Sequence, residues 1–338
     1  MATQLLKTVK PSGGDYTSLE ACMNANEQNL VTADKYFDVE IDGDWSGGND
    51  TSHCTIHNYT TDATRYINIY TTATAFHGGK PDTTKYCNYR TTPDISNLIV
   101  SSQYVTITGL FFKKVPASDY GEANLTNVSV ANVVFASCYW QMHNSYANNR
   151  DCLYSSVASI YPLFKNCVIW SSGSNSSGDM FNFPDFIGWK FYNCTVIGWE
   201  GNFPTDLSGG IFTNNISHGR GTYDYGVDGT KLGTFTTNLS FDSTGEINNK
   251  TLTFVDSANG DFHLLSTDTD AINVGTDITS ITTVDIDGQT RPTGAGTWDI
   301  GADEYVASSE EQGIGVAGGQ FHWKSRMGRG DMQTTMFW

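Results

Sequence analysis

Cleavage of a glycosidic bond needs two carboxyl groups placed on either side of the scissile oxygen. Elimination from an acidic sugar needs a base, with a cation or arginine beside the substrate carboxylate. Residues of these types cluster in the middle of this chain: Asp179, Asp185, Glu200, Asp206, Asp224 and Asp228, with His218 and Arg220 close by. Trp170, Trp189, Trp199, Tyr223 and Tyr225 accompany them and offer flat faces on which sugar rings stack. A bland reading competes at each position. Asp beside Gly builds turns, tryptophans at strand ends pack into cores, and His218 can simply bond a neighbouring loop. The sequence therefore favours passive glycan binding over catalysis, and it singles out no cofactor.

The elements that must position these residues are set by a repeated phrase. Phe135-Ala-Ser-Cys138 returns as Phe164-Lys-Asn-Cys167, Phe191-Tyr-Asn-Cys194, Phe212-Thr-Asn-Asn215 and Phe235-Thr-Thr-Asn238. The phenylalanines stand 29, 27, 21 and 23 residues apart, and a looser copy is expected at Phe111. Such spacing marks a repeat architecture in which each copy is one structural turn. Apolar and polar residues alternate in Tyr104–Phe111 and Val128–Phe135, the two-residue period of strands. Together these predict an all-β, single-stranded parallel β-helix. Each phenylalanine points to the coil axis. Asn166, Asn193 and Asn214 take a left-handed corner that asparagine tolerates, and Cys167 and Cys194 turn inward again. Most of the candidate residues then fall on long polar loops at 139–160, 171–186, 200–209 and 219–233, where a rigid scaffold usually carries function.

Composition narrows the classes. Of 338 residues, 36 are Asp or Glu and only 19 are Lys or Arg, a formal charge of −17, so a duplex-binding basic face is excluded. Seven cysteines, three of them at equivalent repeat positions, read as buried reduced thiols rather than a disulfide framework. No apolar run reaches spanning length, and the N-terminus has no leader pattern. Synthesis and folding in a cytoplasm are expected, with no membrane insertion.

Four regions are expected: an N-terminal cap over 1–35, coils over 36–250, a terminal β-region over 251–306, and a glycine-rich link and tail over 307–338. The cap contains a short helix from about Ser18 to Glu27, with Thr17 and Glu20 at capping-box spacing. Beyond Leu252 come Asp285-Ile-Asp-Gly-Gln-Thr-Arg291-Pro and Asp299-Ile-Gly-Ala-Asp-Glu304. With the Gly13-Gly-Asp-Tyr16 opening, these phrases resemble right-handed parallel β-helix repeat proteins with a terminal Asp-Gly-x-x-Arg-Pro…Asp-Ile-Gly-Ala-x-Glu signature. That resemblance covers about residues 5–305 and implies the fold. It leaves function open among polysaccharide lyases, hydrolases, surface adhesins and bacteriophage spike or appendage proteins. Paired aspartates of the pectin-hydrolase type are absent, and Ser217-His-Gly-Arg-Gly221 echoes them only loosely. Asp285-Ile-Asp-Gly288 offers calcium-type oxygens, but its spacing fails the full pattern and the resemblance makes it a structural corner, so no metal is expected.

The tail lies outside the resemblance. It is locally basic and strongly aromatic, with Phe321, Trp323, Lys324, Arg326, Arg329, Phe337 and Trp338, and left free it would expose large apolar side chains. It is expected to attach the coil to a partner. The expected function is a virion exterior structural protein (spike, fibre or capsid decoration) that binds host-surface polysaccharide. Its partners would be virion proteins met through the tail, and the spikes it resembles imply a homotrimer. A β-helix polysaccharide lyase or glycoside hydrolase is the alternative, and a bacterial surface adhesin the second.

Overall fold

A computed structural model describes residues 2–91, 96–115, 125–143, 152–155, 157, 161–172, 181–182, 188–198, 209–219, 224–225, 233–294 and 297–307. Its strands stack into three parallel sheets, so the chain is a parallel β-helix. The first sheet has nine strands, from Thr3–Val9 and Lys35–Ile41 through to Thr234–Thr236. The second has seven, from Cys87–Arg90 to Leu239–Ser240, and the third five, from Cys54–Ile56 to Phe181–Asn182. Each strand pairs in parallel with its equivalent one coil away, as Phe164 does with Phe191 and Phe191 with Phe212.

The repeated phrase is the coil's tightest corner. Phe135, Phe164, Phe191, Phe212 and Phe235 form an interior stack in the first sheet, with ring centroids 5.0, 4.7, 5.5 and 4.8 Å apart. Toward the N-terminus the same ladder continues as Ile107, Ile69 and Val39. Phe111 is not a member. It stands in the second sheet opposite Tyr139, because the strand before it ends at Thr108 and Ile107 already fills the ladder position.

Two residues link first sheet to second in each full coil, and the first of them is left-handed: Gly109 (φ 75°), Ser137 (47°), Asn166 (52°), Asn193 (50°), Asn214 (56°) and Thr237 (52°). The three asparagines bond to one another, Asn193 Nδ2 donating to Asn166 Oδ1 (3.2 Å) and Asn214 Nδ2 to Asn193 Oδ1 (3.1 Å). The second corner residue points inward. Cys138, Cys167 and Cys194 fill that slot as small buried groups, and Asn215 and Asn238 replace them in the last coils by bonding to each other at 2.9 Å. All seven cysteines are buried and outside any disulfide.

At the N-terminal end the helix Leu19–Ala25 places Leu19, Cys22 and Met23 in the core. Its N-cap is Ser18, which accepts from Ala21 N, so the helix begins one residue later than expected and Thr17 is not the cap.

The C-terminal region departs furthest from expectation. Among its described residues it holds an antiparallel hairpin, Phe254–Asp256 with Asp261–Leu264 joined by the 3-10 turn Ser257–Asn259, and the antiparallel bridges Gly275–Trp298 and Val284–Thr290 among turns. It does not extend the stack but runs back along its outside. Thr276 O accepts from Asn214 Nδ2 (2.7 Å), Val284 O from Asn166 Nδ2 (2.7 Å), and Asp285 O from Ser137 Oγ (3.2 Å). As the segment advances, its partners step toward the N-terminus along the left-handed corner. Phe262, Ile286 and Ala302 pack on the outer face of the second sheet against Phe111, Tyr139, Val168 and Trp170. That cover is why strands such as Tyr139–Met142 and Val168–Ser171 are buried on both faces.

The Asp285–Glu304 phrases tie this cover together. Arg291, fully buried, donates to Glu304 Oε2 (2.8 Å) and to the carbonyls of Asp299, Gly301, Ala302 and Asp303. Asp285 accepts from the backbone of Asp287, Gln289 and Glu304. Ala307–Trp338 is a second unit; apart from Ala307 it lies outside the described residues, including every residue named above for attachment.

Candidate functional site

The coil separates a closed flank from an open one. First and second sheets meet over two residues, but the return from the second sheet is long: Lys114 to Thr126, Met142 to Leu153, Ser171 to Phe181, Ile197 to Ile211 and His218 to Thr234. Each leaves a second-sheet strand, the first three leading to the third sheet and the last two directly to the first, so the second-sheet strand ends that anchor them share one flank. Asp179, Glu200, Asp206, Arg220, Asp228, Trp199 and Tyr223 belong to them; these residues, and Asp185 between the strands Phe181–Asn182 and Lys190–Tyr192, lie outside the described residues.

The described candidates are engaged elsewhere. Trp189 is fully buried, its ring stacked on Phe164 (5.7 Å) and Phe191 (6.2 Å) inside the coil, so it offers no face to a sugar. Tyr225 is also fully buried, with its hydroxyl on Asn215 O (3.0 Å). Trp170 does point outward from the second sheet, but Phe262 and the backbone at Gly260 cover it. These three are packing residues, a correction that follows from the C-terminal cover and the depth of the coil interior. His218 closes the strand Ile216–His218 against the Phe241 ring (centroids 3.6 Å apart), and burial pushes its pKa down.

Asp224 resembles a general acid only by its titration. Burial, helped by Asp242, pushes its carboxyl up to about 6. Its oxygens, however, accept from the backbone of Gly219, Phe241 (2.8 Å) and Asp242 (3.3 Å), while its own N–H donates to Asp242 Oδ2 (2.7 Å). That is a clamp holding a turn to the last coil.

A denser polar constellation lies where the loop 77–80 meets the C-terminal cover. His263, on the strand Asp261–Leu264, sits between two carboxylates, with Nδ1 2.5 Å from Asp261 Oδ1 and Nε2 2.9 Å from Asp287 Oδ2. Burial works against charge on this ring, but the bond to Asp287 and the fields of Asp287 and Asp303 outweigh it and hold the pKa at about 10. The ring is therefore an imidazolium donating from both nitrogens. Lys80 reaches Asp261 Oδ2 at 3.3 Å, and Asp303 Oδ2 accepts from Leu264 N at 2.7 Å. Nearby His77 behaves oppositely. Fully desolvated and bonded at Nε2 to Ser137 O (3.0 Å), it is driven down to about 4 and stays neutral.

Asp285, although adjacent in sequence to this cluster, has its oxygens taken by backbone N–H groups. Burial, aggravated by Asp287 and eased by Arg291, pushes it up to about 7. The sequence weighed Asp287 only within Asp285-Ile-Asp-Gly288 and gave no site at His263, Asp261 and Asp303. The one local signal was Asp261-Phe-His263, whose alternation puts both side chains on one face of a strand. Among family models, curated proteins and solved structures, none matches this chain.

Proposed function

We propose that this protein is an exterior structural component of a bacteriophage particle whose coil presents polysaccharide-binding loops along one flank. The observation that carries the proposal is that five lengthened connections all leave the ends of neighbouring second-sheet strands, three of them leading to the third sheet and two to the first. Anchoring strand ends stepped by the strand spacing of about 4.8 Å suit an extended, repeating ligand. Their Ser, Asn, Asp, Tyr and Trp content suits hydroxyl bonding and ring stacking. The opposite corner is sealed by the C-terminal cover, which leaves the stack rigid. Buried thiols outside any disulfide suit assembly in a reducing cytoplasm. In this reading the aromatic, basic tail attaches the coil to the particle, and copies associate as trimers.

The test is binding of the full chain to a panel of purified capsular and lipopolysaccharide O-chain glycans, with reducing-end and unsaturated-product assays run in parallel. Binding by the parent, lost when residues 173–180 and 199–208 are both replaced by short Gly-Ser turns, is the expected result. Binding unaffected by that double replacement, or none to any glycan, overturns the proposal. Product release from a bound glycan moves the reading to a polysaccharide-cleaving enzyme. Light scattering of the full chain beside one stopped after Tyr305 tests attachment: equal monomer masses refute the tail's role in self-assembly.

A further inference from the structure

We propose that His263, Asp287 and Asp303 form a binding site for one divalent transition-metal ion, which staples together the three C-terminal segments that carry them. One donor atom from each of the three lies within 4.8 Å of the others. An ion about 2.0–2.2 Å from each donor would draw them closer together. The imidazole is already oriented for this. Asp261 holds Nδ1 and turns Nε2 toward Asp287, the carboxylate–histidine–metal relay that fixes tautomer and ring angle in metal sites.

A second observation is independent of that grouping. Asp287 Oδ1 is buried and has no hydrogen-bond partner, a costly state for a carboxylate oxygen, and a cation supplies the missing partner. Charge points the same way. Asp261, Asp285, Asp287 and Asp303 crowd together against His263 and Lys80, while the Arg291 guanidinium is already paired with Glu304. The side chains of His263 and Asp287 remain 18% and 20% exposed, so an ion and completing waters have access. Gly79 closes the other side, where an added Cβ would stand 2.5 Å from both Asp287 Oδ1 and His263 Nε2. One imidazole nitrogen with two carboxylates suits zinc or manganese rather than calcium, which takes oxygen donors throughout.

On binding, the Nε2 proton passes to solvent and its lone pair goes to the metal; no redox change is involved. The ion then links the hairpin strand Asp261–Leu264, the turn 285–288 and the segment at Asp303. This inference does not depend on the polysaccharide reading.

The experiment uses the full chain, stripped with a chelator and titrated with zinc chloride. Expected are one ion per chain, a higher melting temperature that chelator reverses, and binding at least tenfold weaker in Asp287→Asn. Asp261→Asn, at a residue that holds the imidazole and pairs with Lys80 but supplies no ligand, is expected to weaken binding about 10–100-fold. Crystals grown with zinc decide the matter without any variant, through an anomalous peak bounded by His263 Nε2, Asp287 and Asp303. A peak elsewhere, no ion retained, or unchanged affinity in Asp287→Asn overturns the proposal.

Discussion

Asn193 is the residue at which backbone handedness and side-chain bonding can be separated. It is fully buried with φ 50°, donates to Asn166 Oδ1 (3.2 Å) and accepts from Asn214 Nδ2 (3.1 Å). Replacement by Ala removes both bonds and puts a β-carbon where left-handed backbone costs an ordinary residue roughly 1–2 kcal/mol. Asn214 Nδ2 keeps Thr276 O at 2.7 Å, so the orphaned group is Asn166 Oδ1, worth about 1–3 kcal/mol when buried. Asn193→Ala is therefore expected to lose about 2–5 kcal/mol. Asn193→Gly loses the same bonds but none of the handedness, so it should be about 1 kcal/mol more stable than the Ala variant. The assay is equilibrium urea unfolding, followed by tryptophan fluorescence and circular dichroism, with coincident transitions required before free energies are compared. An Ala variant as stable as the Gly variant refutes the claim that asparagine is there for its backbone.

Three further outcomes are expected. Arg291→Lys should destabilise the C-terminal cover by about 3 kcal/mol or more, because a point charge cannot serve Glu304 and four carbonyls together; faster hydrogen exchange over 285–305 is the readout, and wild-type exchange would contradict it. Burial raises Asp285 and Glu304 to about 7 and Asp299 to about 6, above their unfolded values, so the folded form binds more protons and stability falls as pH rises through 5 to 8. In chelator, the melting temperature at pH 5.5 should exceed that at pH 8, and Asp285→Asn should flatten the difference. Gly260, at φ 84°, lies against the Trp170 ring, and its carbonyl accepts from Tyr139 Oη at 2.7 Å; Gly260→Ala should lift the hairpin and expose Trp170, read as a red-shifted emission and proteolysis near 254–264.

The sequence by itself determined the coil. A phenylalanine every 21 to 29 residues, followed by a left-handed-tolerant asparagine and a small inward residue, encodes a turn through local rules. Backbone φ preference and two-residue alternation need no knowledge of distant partners, and stacking of like residues follows once each coil repeats. The same rules misassigned Phe111, because one loose copy does not reveal which sheet it enters. Only the tertiary structure decided where residues 251–305 go. Their path along the outside of the corner rests on single hydrogen bonds to residues 62 to 148 positions away, and no local periodicity encodes such pairs. That path turned Trp170 from a prospective sugar platform into a packed residue, and it brought Lys80, His263, Asp287 and Asp303 together from four separate stretches. Burial decided the rest. Trp189 and Tyr225 read as available aromatics in the sequence, but whether an aromatic faces water or the coil axis is set by the whole stack.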